Sequence, residues 1–443
     1  SLSIVSGTIK GDVYGGSIGG SIGGNSTISI SGGDIQGGVY AADVTTEGFL
    51  GSSILNFGNE GALDTAITEI NGFDEVNFNG GTVNFTSGTV SFANTVINMT
   101  VNGESSTLTA ETIDNSATIY VTGTGAYAPN VNLSGEGKIV FGKKDATFDG
   151  TYAGTIDGQA SDLATVQVLN GSLTLESGAT IDLIGNFDKN RGFILGTVDA
   201  AEDDGTMTAV VTVKEGATLN ARNYFWIGSA NGSYETPEEQ SKRFKLIIDG
   251  GKVDATSNAF TLRNTGAMEI LNGGSFSAHD GSVRNYISVT GEGSYLEYGG
   301  NVYGEAPSGA EGAPTYGTAS ITVSDGATAN FTKLSIGGEG ASRENRRGSV
   351  TLSNATATAK TILLSQANED EEIRAELSVE NSSLTADAIT NYGAVNVTGA
   401  STLDAEFMAV GTGLLNLNSV GFGSRTSVND TASYTKNTIG REN

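Results

Sequence analysis

Along most of the chain, apolar and polar residues alternate in short runs, and Gly, Asn or Asp separates one run from the next. Leu173–Leu175 with Ile181–Leu183, Val211–Val213 with Leu219, Leu246–Ile248 with Val253, Met268–Leu271 with Phe276, and Ile287–Val289 with Tyr295 share one format. It consists of a few alternating residues, a turn, and a second alternating cluster. The format resumes at Ile321–Val323, Val350–Leu352, Leu377–Val379, Val395–Val397 and Leu414–Leu417. A period of two puts every other side chain on one face of an extended segment, so the pattern predicts short strands joined by tight turns. No stretch sustains the i, i+3, i+4 spacing of an amphipathic helix, and an all-β chain is expected.

The format is also a repeat. VTVKEGATLNARNYFWIG, from Val211 to Gly228, returns as ITVSDGATANFTKLSIG, from Ile321 to Gly337, with one residue removed. Most steps between units fall near one or two multiples of roughly 18 residues, the range of solenoids and propellers. A slip of one residue inside a strand would turn its apolar set to solvent, so the missing residue belongs to a turn. Ile9, Gly11, Val13 and Tyr14 recur as Ile35, Gly37, Val39 and Tyr40 in a Gly-rich opening. The chain therefore reads as Gly-rich coils over 1–66, a main solenoid over 67–424, and a polar tail or extra strand over 425–443. Asn186–Thr208, Asn231–Lys245, Asn301–Gly317, Glu339–Gly348 and Ala367–Arg374 interrupt the pattern and read as loops leaving at turns. Such insertions tend to collect on one face and to carry binding.

Composition narrows the partners. The 443 residues include 64 Gly and no Cys, and 37% are hydrophobic, which is ample for a core and argues against disorder. A net charge of −27 opposes binding to nucleic acid or to anionic lipid. Without Cys there is no disulfide framework and no thiolate metal site. No apolar run reaches the roughly 18 residues of a membrane span, so direct membrane insertion is not expected. Ser1 opens no charged-then-apolar leader, so an exported chain would already have lost its signal.

VTVKEGATLNARNYFWIG, ITVSDGATANFTKLSIGG, LTLESGATIDL and INGFDEVNFNGGTVNFTSGTV resemble the repeats of bacterial autotransporter passengers (type V secretion), in particular adhesin-like ones. The resemblance covers about Ile67 to Gly421, with the Gly-rich opening a looser match. It implies a right-handed parallel β-helix with three strands per coil, export through an outer-membrane barrel, and display at the surface of a Gram-negative-type cell. Passengers of this type include adhesins, aggregation factors and some enzymes; the residues themselves lead to the expectation of a non-enzymatic protein without cofactors, acting by adhesion or self-association on itself or on glycans and proteins of a neighbouring or host cell. The leader and barrel of a full precursor are not in this sequence.

Candidate chemistry is sparse. Asp203 with Asp204, Glu238 with Glu239, and the run from Glu369 to Glu372 are the acids a polysaccharide-degrading β-helix enzyme would need to bring together. They sit in the interruptions beside Gly, Asn or Lys and read as solvated loop charge. His279 is the only histidine, so no histidine cluster is available to a metal, and no calcium-roll repeat is present. Trp226 lies in YFWIG, whose two faces are both apolar; insertion 231–245 is expected to cover the outer face, with a carbohydrate platform as the other reading. Lys242, Arg243 and Lys245, with Arg343, Arg346 and Arg347, form basic clusters suited to anionic glycans or to pairing with Glu235, Glu238, Glu239 and Glu344. A solenoid also has ends, and Val13, Tyr14, Val428, Tyr434 and Ile439 are the candidate contacts if copies join end to end into a filament.

Overall fold

The computed structural model describes residues 1–16, 23–42, 51–58, 62–93, 96–102, 107–115, 118–134, 137–158, 164–183, 192–222, 224–230, 243–256, 259–304, 317–337, 346–365, 375–410, 414–418, 421–422, 428–430 and 439–440. Among them every regular element is a strand and the strand pairs within sheets are parallel, which makes the fold an all-β parallel β-solenoid. The chain forms two compact units, one of Ser1–Gly196, Met207–Thr212 and Gly216–Tyr224, the other of Thr197–Thr206, Val213–Glu215 and Phe225–Asn443.

In the first unit, Ser53–Phe57, Ala62–Thr65 and Glu69–Asn71 make one coil, and Glu75–Asn79, Thr82–Phe85 and Thr89–Ala93 make the next. They lie in register, with Val76 level with Leu55, Val83 with Leu63, and Phe92 with Ile70. Pairing thus runs across residue 66 without interruption. Three strands per coil is not uniform. Thr118–Tyr127 passes a corner as one strand and pairs with both Lys138–Phe141 and Phe148–Tyr152. The bend falls at Gly123 and Gly125, whose φ of +97° and +127° only glycine adopts readily. Inside, large rings fill the coil: Phe57 stacks on Phe78 at 4.7 Å between centroids. Phe141 packs against Phe148 at 5.3 Å and Tyr127 at 6.0 Å. Burial pushes the Tyr127 and Tyr152 hydroxyls well above the ordinary tyrosine range.

The second unit stacks three columns of strands. Phe244–Asp249, Gly266–Leu271, Tyr286–Thr290, Gly317–Ser324, Arg346–Ser353, Ala375–Glu380, Ala394–Thr398 and Leu414–Asn418 form the first. Its inward register runs Leu246, Met268, Ile287, Ile321, Val350, Leu377, Val395, Leu415 without a slip. The second column carries Val253, Phe276, Leu296, Ala329, Ala357, Leu384 and Leu403 at one level. The third carries Leu262, Val283, Val302, Ile336 and Leu364. From Tyr295–Val302 onward, the second and third columns share continuous strands.

The turns explain the echoed phrase. In KEG, Gly216 takes φ +80°, and in SDG, Asp325 and Gly326 take +55° and +87°. Asn272, Asn354 and Asn381 occupy the same turn of other coils at +52°, +52° and +46°. Asn and Asp tolerate the left-handed region because their short side chains bond locally.

Two glycines of the first unit separate turn strain from steric exclusion. Gly171 has φ +108°, and a Cβ there would stand 2.2 Å from the Phe148 carbonyl oxygen, whereas Gly178 has φ +85° with nothing within 4 Å. Gly178→Ala should cost roughly 1 kcal/mol and Gly171→Ala roughly 2–3 kcal/mol or more, since the next coil must move. Denaturant titration of both variants checks the order; equal midpoints would show that the coils separate easily.

Candidate interaction surface

The third column of the second unit ends at a corner. Ser229, Val302, Ile336 and Leu364 each close a strand of this column. Val302, Ile336 and Leu364 lie at one level, and the Arg263 N–H donates to the Ile227 carbonyl at 2.8 Å, bringing the Tyr224–Ser229 strand into the same column. The stretches 231–242, 305–316, 338–345 and 366–374, which lie outside the described residues, follow these strand ends. One slipped strand would move its end off this level, so in-register stacking is what brings the strand ends to one corner.

The corner is lined by arginine and aromatic residues from consecutive coils. Arg263 lies over the Trp226 ring at 5.3 Å, Arg284 over Tyr303 at 5.6 Å, and Arg346 over Tyr303 at 4.1 Å. The Gly304 N–H donates to the Arg347 carbonyl at 2.8 Å and ties two coils beside them. A guanidinium over a ring face is attracted by its quadrupole, and the attraction grows as water is excluded. Trp226 is 9% exposed, and its indole N–H donates to the Gly228 carbonyl at 2.7 Å. It is a packed wall residue under Arg263, not an open platform.

Arg243 makes a different contact. Its Nη2 meets Asp203 Oδ1 at 2.5 Å, with the Asp203 side chain fully buried and the Arg243 side chain 12% exposed. The Gly205 N–H also donates to Asp203 Oδ1 at 2.9 Å. Burial pushes the Asp203 carboxyl up; hydrogen bonds from Arg243, Ser229 and Gly205, with the Arg243 charge, outweigh it and hold the carboxyl below the usual range. Asp203, read from sequence as solvated loop charge, is thus the buried anchor of its segment. Asp204 does stay at the surface, its carboxylate accepting from the Thr206 N–H and hydroxyl.

Other basic residues also leave the expected loops. Lys245 is the second residue of Phe244–Asp249 and pairs with Glu269 at 2.6 Å, and Arg346 and Arg347 open Arg346–Ser353 in register with Gly317 and Thr318. The strand period sets these positions: Arg346–Ser353 continues VTL backward by alternation, which charge had masked in the sequence. Lys242, Arg343, Glu235, Glu238, Glu239, Glu344 and Glu369–Glu372 lie outside the described residues. His279 sits 3.3 Å from Glu297. Among the described residues no group of His, Cys, Asp or Glu is arranged to hold a metal ion.

The residues assigned to the ends divide. Val13 is buried, while Tyr14 stacks on Tyr40 at 5.2 Å with 19° between planes. Burial and the Glu69 carboxylate, which accepts from the Tyr40 hydroxyl at 2.9 Å, push that hydroxyl up to about 12. Val428 lies in Val428–Asp430, which pairs with Thr402–Val410, and Ile439 lies in Ile439–Gly440, which pairs with Leu414–Asn418. Tyr434 lies outside the described residues.

Removing the Asp203 carboxylate leaves a largely buried guanidinium without it, so Asp203→Ala should cost ~3 kcal/mol. Because the folded-state pKa is lowered, this stabilisation is complete above the unfolded aspartate value of about 3.9 and is lost as pH falls through the folded value. Thermal melts of wild type and Asp203→Asn should therefore differ at pH 7 and converge well below pH 4; a constant gap would mean the ion pair is not its source.

Comparison with family models, with curated proteins and with solved structures finds no match to this chain.

Proposed function

We propose that the chain is a non-enzymatic protein of the bacterial cell surface or extracellular space, of the autotransporter-passenger kind, and that it works by adhesion. The observation that carries the reading is the corner of the second unit, where in-register strands ending at Ser229, Val302, Ile336 and Leu364 are followed by the long insertions. A stack whose strands end repeatedly at one edge, each before a long interruption of the pattern, is suited to a presentation scaffold. The net charge of −27 favours solubility and directs partners away from nucleic acid. The partners in this reading are glycans or proteins of a host or neighbouring cell, reached from the corner, with a second copy of the chain as a further partner.

The test separates insertions from scaffold. Residues 232–241 and 339–344 are replaced by short Gly-Ser linkers, with Arg243, Arg346 and Arg347 retained because they belong to the coils. Binding to cells or to immobilised cell-surface glycans should fall ~10-fold, as when contact residues are truncated, while the melting temperature moves by less than ~2 °C. Undiminished binding would remove the corner from the mechanism. Release of new sugar ends from polysaccharide by the intact chain would instead favour a polysaccharide-degrading enzyme.

A further inference from the structure

The second column of the second unit has an outer face unlike the rest of the surface. In Thr328–Ile336, Thr356–Leu364, Ser383–Asn391 and Thr402–Val410 the first two inward levels are Ala329, Ala357, Leu384, Leu403 and Phe331, Ala359, Ala386, Ala405, all buried. The alternating outward positions carry hydroxyls. Thr328, Thr356, Ser383 and Thr402 share one level, and Asn330, Thr358, Thr385 and Asp404 share the next. Thr328, Thr356, Thr358 and Thr402 are exposed, and Ser383 and Thr385 are half-buried. Short side chains in unbroken register make this face flat.

Charge breaks the uniformity in an ordered way. Lys360 and Asp387 occupy the next outward level, between the register pairs Ala359 with Ala386 and Thr361 with Ala388, and both are exposed. Lys333 lies on the coil before Lys360, and Asp404 on the coil after Asp387. Lys333 stands one residue farther along its strand than Lys360, and Asp404 is level with Thr385, so the shared level carries one basic and one acidic residue on adjacent coils. A two-fold axis lying in the face, parallel to the strands and midway between the coils of Thr356 and Ser383, reverses the coil order and preserves position along each strand. It sets Lys360 opposite Asp387 of a second copy, Thr358 opposite Thr385, and Asn330 opposite Asp404. Lys360 and Asn330 then each meet an acid, and each contact occurs twice, as an isologous interface requires.

The geometry points to this face as a self-recognition surface, through which two copies of the chain associate face to face with their coils antiparallel. It deepens the reading of an adhesive surface protein by naming one partner, a second copy, and uses a different face of the coil from the insertion-bearing corner. Coils at ~4.8 Å and residues at ~3.3 Å give a patch of roughly 300 Å² per copy, well under the ~800 Å² of a stable interface. The contact is accordingly weak, with a Kd on the order of 0.1–1 mM, and gains strength only when many copies face one another on apposed surfaces.

Charge reversal tests the symmetry. Lys360→Asp sets acid against acid twice in a homodimer, and Asp387→Lys sets base against base twice. In sedimentation experiments up to millimolar protein, the wild type should dimerise and each single variant should associate at least ~10-fold more weakly. An equimolar mixture of the two single variants should regain wild-type association, because both cross-contacts are then opposite in charge. Pairing between Lys360 and Asp387 within one molecule is absent from both single variants, so it cannot account for the recovery. A monomeric wild type, single variants that associate normally, or a mixture that fails to recover would each overturn the proposal. Adhesion through the insertions is measured separately with the linker replacements, so the failure of one leaves the other standing.

Discussion

The structure depends on one constraint, that the backbone hydrogen bonds of each coil are satisfied by the coils on either side of it. Parallel neighbours with evenly spaced bonds tolerate no drift, because a slip of one residue exchanges inside for outside. The level shared by Leu246, Met268, Ile287, Ile321, Val350, Leu377, Val395 and Leu415 shows how closely the second unit keeps to it. Everything that varies in length is pushed to the corners.

The same constraint stacks side chains of a kind. Asn77 donates to Asn56 and Asn98 to Asn77, each at 3.0 Å, building an amide ladder in the first unit, and Asn416 donates to Asn396 at 2.7 Å in the second. Amides and hydroxyls suit such columns because each can donate to one neighbour and accept from another. Charges do not, since like charges one coil apart repel. An acidic chain must pair its strand acids or place them at turns. Lys245 answers Glu269, and at the turn beside Asp249 the Lys214 ammonium, helped by the Asn272 amide, holds the carboxyl below the usual range.

A scaffold built this way separates stability from recognition. Within each unit the core is a stacked apolar column, so outward columns are free to serve contacts. The corner of the second unit and the hydroxyl face of its second column are two products of that freedom, one made by inserted length and the other by an ordered placement of charge.

The alternation of Leu246–Ile248, Ile321–Val323 or Val350–Leu352 determined by itself that these are strands and which side chains turn inward, because the backbone fixes a period of two wherever the chain is extended. Turn chemistry was equally local: Asn272, Asp325, Asn354 and Asn381 take the left-handed conformation their side chains allow. Tertiary structure alone decided which residues face one another across coils. Arg243 reaches Asp203, Tyr303 lies between the reach of Arg284 and Arg346, and Lys360 stands beside Asp387. The physical reason is that partners one coil apart are separated by whatever number of residues the intervening turns contain. Sequence distance therefore carries no signal of the contact until the register of the stack is known.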